Sequence, residues 1–198
     1  MILQDSQGNK HSTVKGFLLS SAIWFVVGTL AGLIDATHLA APDFLGNISW
    51  LVFGRLRAIH TNLVIFGFVG SALLGAAQYV VPALLQAPLW SQRLGKISLG
   101  IWNISIVAGT VTLSLGYSQG REYAEWIWPV DVSVLLAFAL VFYNLLQTAI
   151  HRQEKLLYVS NWYIFASLDF TFFIYFFGNA VWNPTTGAIT GIDRKSVV

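Results

Sequence analysis

His60 is the residue of this chain best suited to chemistry, and its neighbours say which kind. It stands at the mouth of a long apolar run, residues 63–85, with Arg55 and Arg57 five and three positions before it. An imidazole one turn inside a membrane helix is costly to leave without a partner, so it reads as functional. At that spacing the two guanidinium groups fall at the membrane surface, above whatever the imidazole binds. Haem makes both demands: an axial nitrogen for iron and cations for two propionate carboxylates. The chain has no cysteine. That excludes disulfides, zinc thiolates, iron–sulfur clusters and covalent c-type haem, which needs Cys-x-x-Cys-His. The haem read here is a non-covalent b-type.

The elements that must position His60 are membrane helices. Hydrophobic residues make up 56% of the 198 and charged ones 10%, against about 25% charged in soluble domains. The net charge of +2 is too small to argue for nucleic acid. Apolar runs long enough to cross roughly 30 Å of hydrocarbon recur, giving an all-α membrane protein with five transmembrane helices. Residues 1–15 read as a polar cytoplasmic tail. The bundle fills 16–182, with spans at about 17–40, 56–85, 97–117, 130–150 and 161–182. The first apolar stretch exceeds the usual ~7–15 residues of a signal-peptide core, so it is expected to be a retained helix.

Within these spans the polar residues are few. Asn103 and Ser105 are expected to bond to neighbouring helices, and Asp169 is the one acid of the fifth span. His60, Val64, Gly67, Ser71 and Gly75 share one helical stripe. Small residues at that repeat either pack helices closely or leave room for a flat macrocycle. Trp50, Trp90, Trp126, Trp128, Trp162 and Trp182 fall at span ends, as an interfacial belt would. Five spans put Lys10, Lys15, Arg93, Lys96, Arg152 and Lys155 on one side and Arg55, Arg57 and Arg121 on the other. The positive-inside rule then places the N-terminus in the cytoplasm and His60 near the outer face.

Three blocks carry a family resemblance. Gly54-Arg55-Leu56-Arg57 with Ile59-His60-Thr61 resembles the start of the second helix in subunit I of cbb3-type haem-copper oxidases. Gly120-Arg121-Glu122-Tyr123-Ala124-Glu125-Trp126 with Trp128-Pro129 resembles that family's loop between helices three and four. Tyr158-Val159-Ser160-Asn161-Trp162-Tyr163 resembles the start of its fifth helix. The resemblance covers residues of about 16 to 192 and only the first part of a twelve-helix subunit. It implies a respiratory terminal oxidase of the bacterial inner membrane that reduces oxygen to water and works with c-type cytochrome subunits. It makes His60 one axial ligand of the low-spin haem b and Arg57 and Arg55 partners of its propionates. Glu122 becomes a calcium candidate and Glu125 a weaker one, since a hard cation takes carboxylate oxygen. The high-spin haem, copper and their ligands belong to later helices, so no catalytic residue is assigned here and this stretch alone is expected to be inactive.

Plainer readings stand beside these. His60 can hydrogen-bond across helices, the arginines can anchor the interface, the glutamates can form loop ion pairs, and His38 can be an interfacial histidine. Rival functions are a nitric oxide reductase large subunit, a small b-type membrane cytochrome with His38 and His60 as its axial pair, and a structural subunit without haem. Residues 183–192 read as the start of the next outer loop. Residues 193–198 read as a non-native tail, because one frame of a common sequencing adapter encodes Asp-Arg-Lys-Ser-Val-Val.

Overall fold

In a computed structural model of the chain, residues 11–45, 48–119 and 124–179 are described. They form five helices and, among the described residues, no strand: α1 (Ser12–Ala40), α2 (Phe53–Leu84), α3 (Gln92–Ser114), α4 (Trp128–Ile150) and α5 (Val159–Asn179). The first four are long and apolar enough to cross a membrane. The fifth falls where the last span is expected but is not among them. Asn161, Trp162, Asp169 and Tyr175 dilute its apolar residues.

Helix ends follow local chemistry. α1 ends before Pro42, with the Ala41 N–H still bonded to the Thr37 carbonyl at 2.8 Å. The Ser91 hydroxyl caps α3 by accepting from the Leu94 N–H at 3.2 Å. That cap puts Arg93 and Lys96 inside the first helical turns, not in a loop. Pro129 opens α4, where its missing N–H removes no helical bond. α1 starts at Ser12, inside the stretch read as a tail, because the buried Thr13 is tied to Gln92 of α3 at 2.9 Å.

α2 lies between the other helices and touches all of them, while α1 also packs on α3, and α4 on α3 and α5. The core runs through Phe17, Leu63, Leu74, Trp102, Val134 and Leu145. Large apolar side chains such as Leu19, Leu33, Leu73 and Ile104 face outward. Apolar residues inside and outside together suit a bilayer.

The small-residue stripe of α2 is filled by protein. A Cβ on Gly67 would come 2.8 Å from Trp24 Cβ, and one on Gly75 would come 3.0 Å from Phe17 Cβ. Ser71 accepts the Trp102 indole N–H at 2.9 Å. Close packing of α1 and α3 on α2 therefore replaces the room for a macrocycle that the stripe also allowed. Residues Leu63–Gly70 run as a π-helix, a widened helix form frequent at functional sites. It begins three residues after His60.

Candidate functional site

His60 lies across the glycine face of α1. Its Nδ1 is 2.8 Å from the Gly28 carbonyl oxygen. A Cβ on Gly32 would stand 2.5 Å from Cε1 and 2.6 Å from Nδ1. Two glycines four residues apart on α1 thus make the seat for the ring. A carbonyl only accepts, so Nδ1 must carry the hydrogen. In the neutral imidazole the lone pair then sits on Nε2. Nε2 has no hydrogen-bond partner among the described residues and is not sealed in. An imidazole held through Nδ1–H by a backbone carbonyl is the arrangement of a metal-ligating histidine. The plainer reading of His60, a hydrogen bond between helices, is also present, and it accounts for one ring nitrogen only.

The next turn of α1 adds Asp35 and His38. Both are buried; Asp35 Oδ1 and both ring nitrogens of His38 have no hydrogen-bond partner among the described residues. Asp35 lies within electrostatic reach of His60, His38 and Arg57. Arg55 is engaged elsewhere. It donates to the Ser114 carbonyl at the end of α3 at 3.0 Å, and its guanidinium lies on Gly116. Gly116 has φ +89°, a conformation that favours glycine, and a Cβ there would stand 2.8 Å from Arg55 Nη2. One bond leaves Arg55 further donors.

On the other flank of α2, Asn62 donates to Glu125 Oε2 at 2.9 Å and to the Ala58 carbonyl at 2.9 Å. Glu125 is buried. Glu122 and Arg121 lie outside the described residues. Behind Glu125, the Gln119 amide donates to Asp131 Oδ2 at 2.7 Å and to the Trp126 carbonyl. The Tyr175 hydroxyl donates to Asp131 Oδ1 at 2.7 Å. Phe66 of the π segment sits 4.7 Å from Trp126 and 5.5 Å from Tyr175, ring centre to ring centre.

Several sequence expectations change here. Trp126 is buried beneath Gly109 and leaves the proposed interfacial belt. Trp50, Trp90, Trp128 and Trp162 stay exposed, and Trp182 lies outside the described residues. Asp169 is half-buried, whereas the deeply buried acids are Asp35, Glu125 and Asp131. Asn103 accepts from Trp24 Nε1 at 2.8 Å and from Ser20, and Ser105 pairs with Ser133 at 2.7 Å, joining helices as expected. Asn62, Gln119, Asp131 and Tyr175 were not legible as a group. Asp131 had a signal, an acid just after Pro129, but in a first turn that also reads as a simple partner for the helix dipole.

The site fits a haem on one count: His60 is seated, oriented and open at Nε2. It forms from one helix face, and the groove between α1 and α2 is closed by Trp24 and Phe17.

Comparison with known proteins shows the family. The family described as Cytochrome C and Quinol oxidase polypeptide I matches residues 12–192. The chain is similar to the Cbb3-type cytochrome c oxidase subunit CcoN1 of Stutzerimonas stutzeri, 34% identical over 161 residues, covering 80% of this chain and 33% of that protein. It is 37% identical over 150 residues to a cytochrome c oxidase subunit 1 homolog of Agrobacterium tumefaciens (strain T37), covering 76% of this chain and 28% of the relative. With cytochrome c oxidase subunit 1 of Rhodobacter capsulatus it shares 36% over 154 residues, or 76% and 29% of the two chains. The chain thus spans a third or less of the length of these relatives.

Proposed function

The chain belongs to the cytochrome c and quinol oxidase polypeptide I family, and from that premise we propose that it forms the front portion of subunit I of a cbb3-type cytochrome c oxidase. The name of one relative above, the Stutzerimonas stutzeri protein, supports the cbb3 assignment. In this reading the five helices open a twelve-helix bundle in the bacterial inner membrane, with the N-terminus in the cytoplasm and α5 as the fifth span. The complete subunit reduces oxygen to water alongside c-type cytochrome subunits, using low-spin haem b, a high-spin haem, copper and calcium. The residues described here carry none of its oxygen chemistry.

One observation supports a role in electron entry: the Gly28 carbonyl on Nδ1, which leaves the His60 Nε2 lone pair as an axial ligand. A low-spin haem, when bound, supplies one-electron transfer. What this chain supplies is the ring's orientation, set by Gly28 and Gly32, and a carbonyl that raises the basicity of the ligating nitrogen. Arg57, with Arg55, answers the propionates. Glu122 is the better calcium candidate, because Glu125 already accepts from Asn62.

In the full-length subunit, His60→Ala is expected to abolish the low-spin haem band in the reduced-minus-oxidised spectrum. An unchanged spectrum would rule the reading out. Arg57→Gln is expected to lower the haem's reduction potential, since a nearby cation favours reduced iron. Redox titration showing no shift, or a rise, counts against the propionate role.

The buried nitrogens of His38, without a hydrogen-bond partner among the described residues, favour a second reading, a small b-type cytochrome with His38 and His60 as its axial pair. His38→Leu separates the two: the cytochrome loses its low-spin spectrum, and the oxidase subunit keeps it.

A further inference from the structure

A groove of about 270 Å³ opens between the last turns of α4 and the first turns of α5. Its walls are apolar: Phe142 and Leu146 from α4, Phe165 from α5, and Leu157 from the connection. Two polar side chains line it. Asn161 is fully buried, and neither its Oδ1 nor its Nδ2 finds a hydrogen-bond partner among the described residues. Arg152 stands at the mouth. One guanidinium N–H goes to the Ala149 carbonyl at 3.0 Å, and the planar fork retains further donors. Trp162 lines the same groove with its ring largely exposed.

A buried amide with both halves unanswered calls for an occupant, and the chemistry of the groove limits what that is. An apolar trough accepts a hydrocarbon chain. A primary amide both donates and accepts, so it suits ester oxygens and a glycerol hydroxyl together. A guanidinium at the rim suits a phosphodiester. The exposed Lys155 follows three residues on, and Lys15, Arg93 and Lys96 lie at the same end of the bundle. The acid of that turn, Glu154, accepts from the Leu156 N–H at 3.3 Å.

We propose that this groove binds one anionic glycerophospholipid of the surrounding bilayer, its acyl chain between α4 and α5, its phosphate on Arg152 and its glycerol ester on Asn161. A free phosphate would leave the apolar walls uncovered. A further apolar helix would cover them without answering the cation. The proposal rests on the membrane placement of α4 and is independent of haem binding.

Trp162 supplies the readout. The whole chain is placed in phosphatidylcholine vesicles containing either phosphatidylglycerol or phosphatidylcholine brominated on its acyl chain, and the Trp162 contribution is taken by difference against Trp162→Phe. Brominated phosphatidylglycerol is expected to quench that component with an affinity about five-fold higher, the effect of one engaged cation at a membrane surface. Arg152→Gln should bring the ratio to about one, Arg152→Lys should retain most of it, and Asn161→Leu should weaken quenching by both lipids. Far-ultraviolet dichroism confirms the helicity of each variant. Equal quenching by the two lipids in the unaltered chain overturns the proposal. So does a Trp162 that neither lipid quenches while other tryptophans respond, which means that polypeptide covers the groove. If no tryptophan responds, the membrane placement itself has failed and the site goes with it.

Discussion

At the two ends of the helix bundle, the cluster around Ser91 and the surroundings of His60 handle buried polar groups in opposite ways. Where α3 begins, the groups around Ser91 meet one another, although Gln78 Oε1 and the Asn161 amide at the same end have no partner among the described residues. The Ser91 N–H donates to Asn144 Oδ1 at 3.0 Å, and Asn144 returns a bond to the Ser91 carbonyl at 3.0 Å. Thr148 takes the Trp90 N–H at 3.0 Å, and Gln92 takes the Ser12 and Thr13 hydroxyls at 3.3 and 2.9 Å. Those bonds lock α1, α3 and α4 together. Around His60 at the other end, one flank is closed by Asn62 and Glu125, while the α1 flank leaves Asp35 Oδ1 and both His38 nitrogens unanswered. A buried polar group left unmade costs more than a made hydrogen bond gains. The first cluster is therefore joinery internal to this chain. The second keeps its polar groups ready for something the described residues do not include.

The largest way to break the contrast is through the seat of His60. A Cβ on Gly32 would already stand 2.5 Å from the imidazole, so Gly32→Val must push the ring, or α1, away. Overpacking together with the lost Gly28 bond should cost about 2–4 kcal/mol, read as the unfolding free energy in a mixed-detergent titration. The His60 Nδ1–H resonance should shift at the same time. Unaltered stability with an unmoved resonance would mean that the glycine face is incidental to the ring's position.

How much of this could be read from the chain alone depends on the range of the interaction. His60, Arg55 and Arg57 were visible because their meaning lies in type and spacing within a single helix. The helices were visible because apolar runs are local. α3 starting at Gln92 and not near Ile97 was hidden, since its first turn is made by Ser91 and held from α4 by Asn144. Likewise α1 reaches back to Ser12 because Thr13 bonds across 79 residues to Gln92. Gly28 and Gly32 as the seat for His60 required the register of α1 against α2, which no single-helix pattern contains. The stripe of small residues on α2 was legible as small, but whether it admits protein or cofactor depended on Trp24 and Phe17 arriving from another helix. Asp131 with Gln119 and Tyr175 gathers residues up to 56 positions apart. No local signal joins them.

The closed end makes a middle-sized prediction. Asn144 is fully buried and answers both backbone groups of Ser91. Asn144→Leu keeps the volume close to the original but strands the Ser91 N–H just before α3, while the Ser91 carbonyl keeps the Gly95 N–H at 3.1 Å. The expected loss is on the order of 2 kcal/mol, measured by the same titration, with faster amide exchange at Ser91 and Leu94. A neutral result would show that water enters and answers that N–H, and that this end is less closed than its hydrogen bonds imply.

The smallest expected effect has the opposite sign and tests the contrast most directly. His38 is 7% exposed, and neither ring nitrogen has a hydrogen-bond partner among the described residues. Its ring meets Phe44 at 6.2 Å between centres, a contact that an aliphatic side chain can largely replace. Folding this chain therefore strips water from two polar atoms and returns nothing for them. Leucine in that place removes the unanswered groups and keeps apolar contact with the surroundings. His38→Leu should consequently stabilise the chain by about 1 kcal/mol, whereas Asn144→Leu at the other end destabilises it. In the same titration the two midpoints should move in opposite directions from the unaltered protein. Should His38→Leu destabilise the chain as much as Asn144→Leu does, His38 is answered after all, and the two ends are built alike.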